Sequence, residues 1–172
     1  MNIRTETGAD YEKVHTLLTR AFPGQEEAIL VQRLRADNSF QQELSIVAEE
    51  NGKITGHIMF SQAALWEGGH AHSVAALAPL AVLPEFQRQG IGGKLIEEGK
   101  RRCRSLGYPL VFLFGHPSYY PRYGFVQARN YGMEMTQFTV SDEVFMVAEL
   151  QEGALHSLHG EFRFHPAFEE LG

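Results

Sequence analysis

A run of ten apolar or small residues, 74–83 (VAALAPLAVL), is followed by a turn that contains three glycines and then by an amphipathic segment, residues 92–106. Because the run is apolar at consecutive positions, both of its faces are buried, as is typical of a strand at the centre of a sheet with a helix on each side. Pro79 cannot donate a hydrogen bond to a neighbouring strand, so it predicts a bulge or a local separation there. The chain is therefore constrained to a sheet with helices on both faces.

Local signals mark the ends of the other elements. Thr7 and Asp10 have the spacing of a capping box, Asn51-Gly52 is a strong hairpin signal, and Gly107 stands where a helix needs a left-handed cap. The predicted strands are at residues 3–6, 44–50, 53–66, 74–83, 110–114, 132–135 and 144–150, and the predicted helices are at residues 11–22, 25–36 and 92–106. This order predicts a mixed α/β sheet in a single domain, residues 1–172.

The composition excludes several classes of function. Of the 172 residues, 15 are Lys or Arg and 21 are Asp or Glu, so the net charge is −6. A surface of this sign repels phosphate backbones and argues against a nucleic-acid binder. The single cysteine, Cys103, indicates a reducing compartment, the N-terminus lacks a signal-peptide pattern, and residues 74–83 are too short to span a membrane. We expect a cytoplasmic protein without membrane contact, either a monomer or a homodimer.

The turn after the apolar run is the segment that indicates chemistry. Gly90, Gly92 and Gly93 leave the backbone unshielded and free to adopt positive φ. Successive N–H groups can then point into one concavity at the positive end of the following helix, which favours phosphate or pyrophosphate. The turn is not a Walker loop, because Lys94 is followed by Leu95, and it lacks the third glycine of a dinucleotide-binding fingerprint.

The segment Gln87-x-x-Gly90-x-Gly92 resembles motif A of the GNAT superfamily of acyl-CoA-dependent N-acetyltransferases. Residues 119–125, Tyr-Tyr-Pro-Arg-Tyr-Gly-Phe, are similar to the family's tyrosine ahead of a Gly-Phe pair. The branch that the chain resembles most is that of the small YhbS-like predicted acetyltransferases. Over nearly the whole chain, the resemblance implies a single-domain GNAT-like fold of the α/β (mixed α+β) class. Its central sheet would be mostly antiparallel, splayed at the middle strands and flanked by helices.

The resemblance also implies where the co-substrate, acetyl-CoA, binds. The backbone of Leu80, Ala81 and Val82 would pair with the pantetheine arm where the strands part. Backbone N–H groups of the glycine turn would hold the pyrophosphate, and two basic side chains of the turn would add charge. The implied cofactor-binding residues beyond the strand are Gln87, Arg88, Gln89, Gly90, Ile91, Gly92, Gly93, Lys94 and Tyr123.

The reaction implied is direct transfer of an acetyl group to a primary amine in a ternary complex. The oxyanion would meet a backbone N–H of residues 80–82. The family's proton donor is a tyrosine four residues before the Gly-Phe pair, which here is Tyr120, with Tyr119 and Tyr123 as neighbouring candidates. A phenol of ordinary pKa near 10 suits a departing alkyl thiolate.

The general base stays open, because residues 74–83 contain no acidic side chain. Candidates are His116, Glu26, Glu27, Glu67 or a chain of waters, and an amine of low pKa would need no base. The missing strand glutamate also supports an alternative function, an acyl-CoA-binding sensor or interaction module without transfer activity.

Acceptor loops are expected at residues 22–27, 65–72, 116–123 and 153–168, whose aromatic, acidic and histidine side chains suit a small-molecule or peptide amine. No metal is expected, since the histidine pairs at 70 and 72 and at 156 and 159 have no companion ligands in a familiar pattern. Cys103 is expected to be buried, and residues 100–104 are expected to form a solvated helix face.

Overall fold

The computed structural model describes residues 1–171, with side chains through residue 169, so Gly172, the last residue of the predicted domain, lies outside the described residues. Nine strands form one sheet, which is flanked by helices. The strands are β1 Asn2–Thr5, β2 Ser45–Glu50, β3 Lys53–Glu67, β4 His70–Val82, β5 Leu110–Phe114, β6 Val126–Gln127, β7 Met133–Glu134, β8 Phe145–Glu149 and β9 Gly160–Arg163. The helices are α1 Tyr11–Ala21, α2 Glu26–Ala36, α3 Ile91–Ser105 and α4 Ala154–Ser157, with short 3-10 turns between elements.

The sheet is mixed and mostly antiparallel, as predicted. Its strand order is β1-β2-β3-β4-β5-β8-β6, and β9 pairs with the distal half of β3 and with β7. Only the β4–β5 and β7–β9 pairs are parallel among the described strands. The order of elements therefore agrees with the sequence prediction through β5.

The middle of the sheet is splayed at Pro79. Strands β4 and β5 pair only at Ala75 with Val111 and at Ala76 with Phe112, and then separate. On the other side of β4, Leu77 pairs with Phe60 and Leu80 with Ile58, which leaves one extra residue in β4, a bulge at Ala78-Pro79. The predicted bulge and the predicted separation are both present, and together they open a gap beside the end of β4.

Helices cover both faces of the sheet around this gap. Leu95, Ile96 and Cys103 of α3 are buried against one face. Side chains of α1 and α2, including Leu17 and Leu30, are buried against the other face. A third apolar cluster joins β5, β8 and β9 through stacked phenylalanine rings, among them Phe112, Phe145 and Phe162. The packing holds β4 rigidly between two layers of helix, as the apolar run predicts.

Polar contacts fix the N-terminal side of the sheet. The predicted capping box is present, and the Thr7 N–H donates to Asp10 Oδ2 at 2.8 Å. Arg4 donates to both oxygens of Asp10, which lowers the pKa of that carboxyl far below its usual range.

A buried polar chain lies between α2 and the sheet. Arg35 pairs with Glu6, and Ser45 Oγ donates to Glu6 Oε1 at 2.8 Å. Ser45 Oγ also lies 3.0 Å from His57 Nε2, whose ring is fully buried on β3. Burial, with the charge of Arg35 second, lowers the pKa of His57 to about 3, so the ring is neutral at physiological pH.

Three details differ from the sequence prediction. Strands β6 and β9 were not predicted, because their pairing partners, β8 and β3, are distant in sequence. Helix α4 was not predicted, and it ends at Ser157, so His156 and His159 do not share one helix. Residues 100–104 are not simply a solvated face: Lys100 donates to the Tyr123 carbonyl at 2.6 Å, and Arg104 to the Leu150 carbonyl at 2.8 Å.

Candidate active site

The free edge of β4 is the first component of the site. The Leu83 N–H donates to the Thr55 carbonyl of β3 at 2.9 Å. Peptide groups alternate in direction along a strand, so Ala81 also faces β3, whereas Leu80 and Val82 face the gap left by β5. Gln87 Nε2 donates to the Val82 carbonyl at 3.2 Å, which ties the turn to this edge. Leu80 and Val82 thus offer peptide groups to a ligand, whereas the peptide groups of Ala81, between them, face β3.

The glycine turn is the second component. Gly90 caps α3 with φ +82°, and Arg88 before it also has positive φ, +64°. The Lys94 N–H donates to the Gly90 carbonyl at 3.1 Å and is the first hydrogen bond of the helix. The N–H groups of residues 91–93 precede that bond, so they have no partner within the helix, which is the geometry that an anion site at this helix end requires.

Two phenols lie against this helix end. A Cβ added to Gly92 would stand 2.6 Å from Tyr119 Oη, and one added to Gly93 would stand 2.5 Å from Tyr123 Oη. Both distances are shorter than real Cβ contacts, so glycine is required for this approach. A hydrogen bond from Lys100 to the Tyr123 carbonyl holds the tyrosine segment against α3.

These components line a cleft of about 610 Å³, which we call the long cleft. Its volume is within the range of small-molecule sites. Its lining residues are Leu80, Val82, Phe86, Gln87, Arg88, Gly90, Ile91, Gly92, Tyr119, Arg122 and Tyr123. Of the residues that the sequence implied for cofactor binding, the long cleft includes all but Ala81, Gln89, Gly93 and Lys94.

The sequence reading missed Phe86 and Arg122 as residues of the long cleft. The Arg122 guanidinium is exposed and lies 5.7 Å from the centre of the Tyr119 ring. Arg88 and Arg122 are the charged residues of this lining, so the long cleft is positively charged although the net charge of the chain is −6. The sequence could have indicated Arg122, because this residue lies inside the tyrosine segment on which the family resemblance is based.

A second opening, of about 250 Å³, lies on the other side of Leu80 and is called here the side cavity. Its lining residues are Phe22, Glu26, Glu27, Leu30, Leu77, Ala78, Pro79, Leu80, Phe114 and Tyr120. Leu80 borders both openings, so they meet at the splayed end of β4. Of the predicted acceptor segments, residues 22–27 and 116–123 contribute here, whereas residues 65–72 lie at the far end of the β3–β4 hairpin.

Tyr120 is the phenol of the side cavity, and Tyr119 and Tyr123 belong to the long cleft. The Tyr120 ring packs directly over Gly115 and lies edge-on to Phe125, with ring centres 5.7 Å apart. Burial raises the pKa of Tyr120 to about 12. The pKa of Tyr119 is raised further, first by burial and then by a hydrogen bond with Tyr123. Tyr120 therefore has surroundings distinct from those of Tyr119 and Tyr123.

The structure also separates the candidates for the general base. Glu26 and Glu27, in the first turn of α2, line the side cavity. His116 is exposed and does not line it, and Glu67 is bonded to His72 at 3.1 Å at the distant hairpin end. The geometry thus brings only the two α2 glutamates to the same cavity as Tyr120.

Other features of the described residues bear on the earlier expectations. Within residues 1–171, no group of three or more potential ligands has the arrangement of a metal site. The same part of the chain contains no helix that is long and apolar enough to cross a membrane. Cys103 is buried, and burial raises the pKa of its thiol to about 12, so it is protonated and inert at neutral pH.

Comparison with known proteins identifies the family of this site. A model of the acetyltransferase (GNAT) domain matches residues 2–128. The chain belongs to the GNAT acetyltransferase family. It is 30% identical to the N-acetyltransferase YhbS of Escherichia coli K12, over 99% of this chain and all of YhbS. It is 42% identical to the N-acetyltransferase YjhQ of the same strain, over 68% of this chain and 65% of YjhQ.

Solved structures of GNAT proteins show the same fold. The crystal structure of E. coli YhbS in complex with CoA matches 99% of this chain and 93% of YhbS, with a TM-score of 0.91 and 30% identity. A GNAT acetyltransferase from Brucella melitensis in complex with acetyl-CoA matches 97% of each chain, with a TM-score of 0.78 and 31% identity. The splayed sheet and the GNAT fold class predicted from the sequence are therefore confirmed.

Proposed function

We propose that this protein is an N-acetyltransferase that transfers the acetyl group of acetyl-CoA to a primary amine by direct attack in a ternary complex. The observation that carries the proposal is the meeting of two openings at Leu80, in the gap between β4 and β5. One opening has an anion-binding helix end, and the other has a phenol and two carboxylates. A cofactor and an acceptor can thus approach one point from opposite sides.

The long cleft suits acetyl-CoA along its whole length. Backbone N–H groups at the start of α3 would bind the pyrophosphate, with Arg88 and Arg122 adding charge. The peptide groups of Leu80 and the Val82 N–H would pair with the amides of the pantetheine arm, as an added strand does. The complexes of YhbS with CoA and of the Brucella protein with acetyl-CoA support this choice of ligand.

The thioester would then lie beside Leu80, within reach of the side cavity. The neutral amine nitrogen attacks the carbonyl carbon, a C–N bond forms, and the carbonyl oxygen becomes an oxyanion that a β4 peptide N–H stabilises. Collapse restores the carbonyl and breaks the C–S bond. The thiolate takes the proton of Tyr120, and the nitrogen loses its extra proton, which restores the phenol. A carboxylate of α2, Glu26 or Glu27, receives the proton that the incoming ammonium must lose first.

Tyr120 is the proposed acid because it is the one tyrosine of its segment that lines the side cavity. Its raised pKa keeps it protonated throughout the neutral and mildly alkaline range. Tyr119 and Tyr123 line the long cleft instead, with their hydroxyls against the start of α3, the helix that would bind the pyrophosphate.

Two measurements test the proposal and separate it from a binding-only role. Calorimetric titration with acetyl-CoA is expected to show saturable binding, and a screen of amines is expected to show sustained release of the CoA thiol. Absence of binding at millimolar acetyl-CoA would refute the cofactor assignment. Binding without thiol release on any amine would instead favour the acyl-CoA sensor.

A further inference from the structure

We infer that the acceptor is a compact primary amine with an apolar body, bound as an ammonium ion beside Glu27 in the side cavity. The inference rests on the proposed function and adds the chemical class of its substrate. Three properties of the side cavity carry it: the sign of its charge, the nature of its walls and its size.

The charge of the side cavity is negative. Its two charged lining residues are Glu26 and Glu27, and no basic side chain lines it. Among residues 1–169, neither carboxylate is in an ion pair with a basic side chain. Glu27 is half-buried and Glu26 is exposed at the mouth. A cationic ligand would therefore neutralise Glu27, and an anionic acceptor is disfavoured.

Apart from Glu26, Glu27 and Tyr120, the side chains that line the side cavity are apolar. The rings of Phe22 and Phe114 come from the ends of α1 and β5, and Leu30 and Leu77 come from α2 and β4. Each is held by packing in one of the apolar clusters, so the walls are preformed. Such walls favour an alkyl or aryl group next to the ammonium. Among the described residues, the lining side chains other than the two carboxylates offer a hydroxylated or sugar-like body a single hydroxyl, that of Tyr120.

The size of the side cavity limits the ligand. Its volume of about 250 Å³ is below the usual range for drug-sized ligands. A molecule of the size of phenethylamine suits this volume, and its single ammonium matches the one half-buried carboxylate, Glu27. A polyamine would carry further charges, for which the other lining carboxylate, Glu26, lies exposed at the mouth.

The experiment is a comparison of amines by thiol release, with each amide product identified by mass spectrometry. The series contains phenethylamine, a 4-phenyl-substituted phenethylamine that exceeds the cavity, ethanolamine, spermidine and a dipeptide that begins with Phe. We expect phenethylamine to have a kcat/KM at least about tenfold above each of the others, the size of one lost charged or apolar contact.

Glu27→Gln tests the proposed ammonium contact. It is expected to raise the KM for phenethylamine about tenfold while leaving the KM for acetyl-CoA unchanged. Glu12→Gln is the matched control, because Glu12 is also in the first turn of a helix and outside both openings, so it removes the same charge from a helix start. It is expected to leave both KM values unchanged.

Each other outcome contradicts a stated part of the argument. Preference for spermidine or ethanolamine would overturn the inferred substrate class while leaving the proposed function intact, and preference for the dipeptide would assign the cavity to a peptide N-terminus instead. An unchanged KM for the amine in Glu27→Gln would remove Glu27 from the site. Binding of acetyl-CoA without release of the CoA thiol on any amine would refute the proposed function itself.

Discussion

At the scale of single residues, the three tyrosines of the segment 119–123 show that the surroundings of a side chain decide which role it can take. Tyr119 and Tyr123 place their hydroxyls against Gly92 and Gly93, at the start of α3. Tyr120, next to Tyr119 in sequence, lines the side cavity instead. The sequence reading named Tyr120 by resemblance and left its two neighbours as candidates. The directions of the side chains supply a physical reason for preferring Tyr120.

Tyr120→Phe is expected to lower kcat about 100-fold, the usual contribution of a general acid, while the KM for acetyl-CoA stays unchanged. The pKa of Tyr120 is raised to about 12, so the phenol of the wild type keeps its proton as the pH rises to 10. This group therefore causes no fall in kcat between pH 8 and pH 10. Steady-state thiol release over that pH range measures both effects.

Tyr131→Phe is the control, because Tyr131 is half-buried beside His156 and lines neither opening. Its kinetics are expected to match the wild type. Unchanged turnover of Tyr120→Phe would remove Tyr120 from the acid role.

At the scale of elements, the start of α3 joins the fold to the proposed cofactor site. The helix begins at Ile91 because Gly90 adopts a left-handed conformation, and its first turn is open to the long cleft. Glycine at positions 92 and 93 permits the tyrosine segment to approach the helix. One short stretch thus caps a helix, exposes its N–H groups and receives two phenols.

Gly92→Val is expected to weaken acetyl-CoA binding at least tenfold, because the added side chain would occupy the position of Tyr119 Oη and displace the phenol into the cleft. Calorimetry with acetyl-CoA measures the change, and circular dichroism checks that the variant is folded. Gly24→Val provides the comparison, since a Cβ at Gly24 has no heavy atom within 4 Å. Binding by Gly92→Val at the affinity of the wild type would contradict the assignment of this helix end to the pyrophosphate.

Element boundaries were predictable where the signals are local. The helix predicted over residues 25–36 is Glu26–Ala36, and that predicted over residues 92–106 is Ile91–Ser105. Strand β9 had no such signal. It pairs with Ala64–Trp66 of β3, and Gly160 permits the close approach of its backbone to the Trp66 carbonyl. Pairing between segments so far apart depends on the assembled sheet, so no local pattern indicated it.

At the scale of the whole molecule, the buried chain from Arg35 through Glu6 and Ser45 to His57 links α2, the segment after β1, and strands β2 and β3. His57 pairs with Ala81 of β4, between the two residues with free peptide groups. The stability of these buried contacts therefore affects the position of β4, the strand that borders both openings. Protonation of His57 would add a second positive charge beside Arg35 in a buried position.

Acid is expected to destabilise the fold through His57. Its pKa is about 6.5 in the unfolded chain and about 3 in the folded protein, so the unfolded state binds more protons between these values. The contribution of the neutral His57 ring to the free energy of unfolding is complete above pH 6.5. As the pH falls toward 3, this contribution decreases by about 1.4 kcal/mol for each pH unit. Urea unfolding at pH 7 and at pH 5 measures the difference.

His57→Gln, which cannot titrate, is expected to lose most of this difference between pH 7 and pH 5. The control His15→Gln alters an exposed histidine on α1 and should keep the pH dependence of the wild type. The carboxyl of Glu98 has a pKa lowered to about 2, mainly by Arg101, so the stability that it contributes is lost only as the pH falls below 4.5, outside this window. Equal pH dependence in His57→Gln and the wild type would refute the role of His57.

The sequence by itself determined the central strand, the glycine turn and the helix after it, and through them the family resemblance. These features are local: apolar periodicity, glycine φ and capping are set by residues a few positions apart. Only the tertiary structure decided that Leu80 and Val82 face the gap, that Tyr120 and Glu27 line one cavity, and that Arg122 joins the other. Those facts depend on how β5 leaves β4 and where α2 begins against the sheet, and contacts between distant parts of the chain set both.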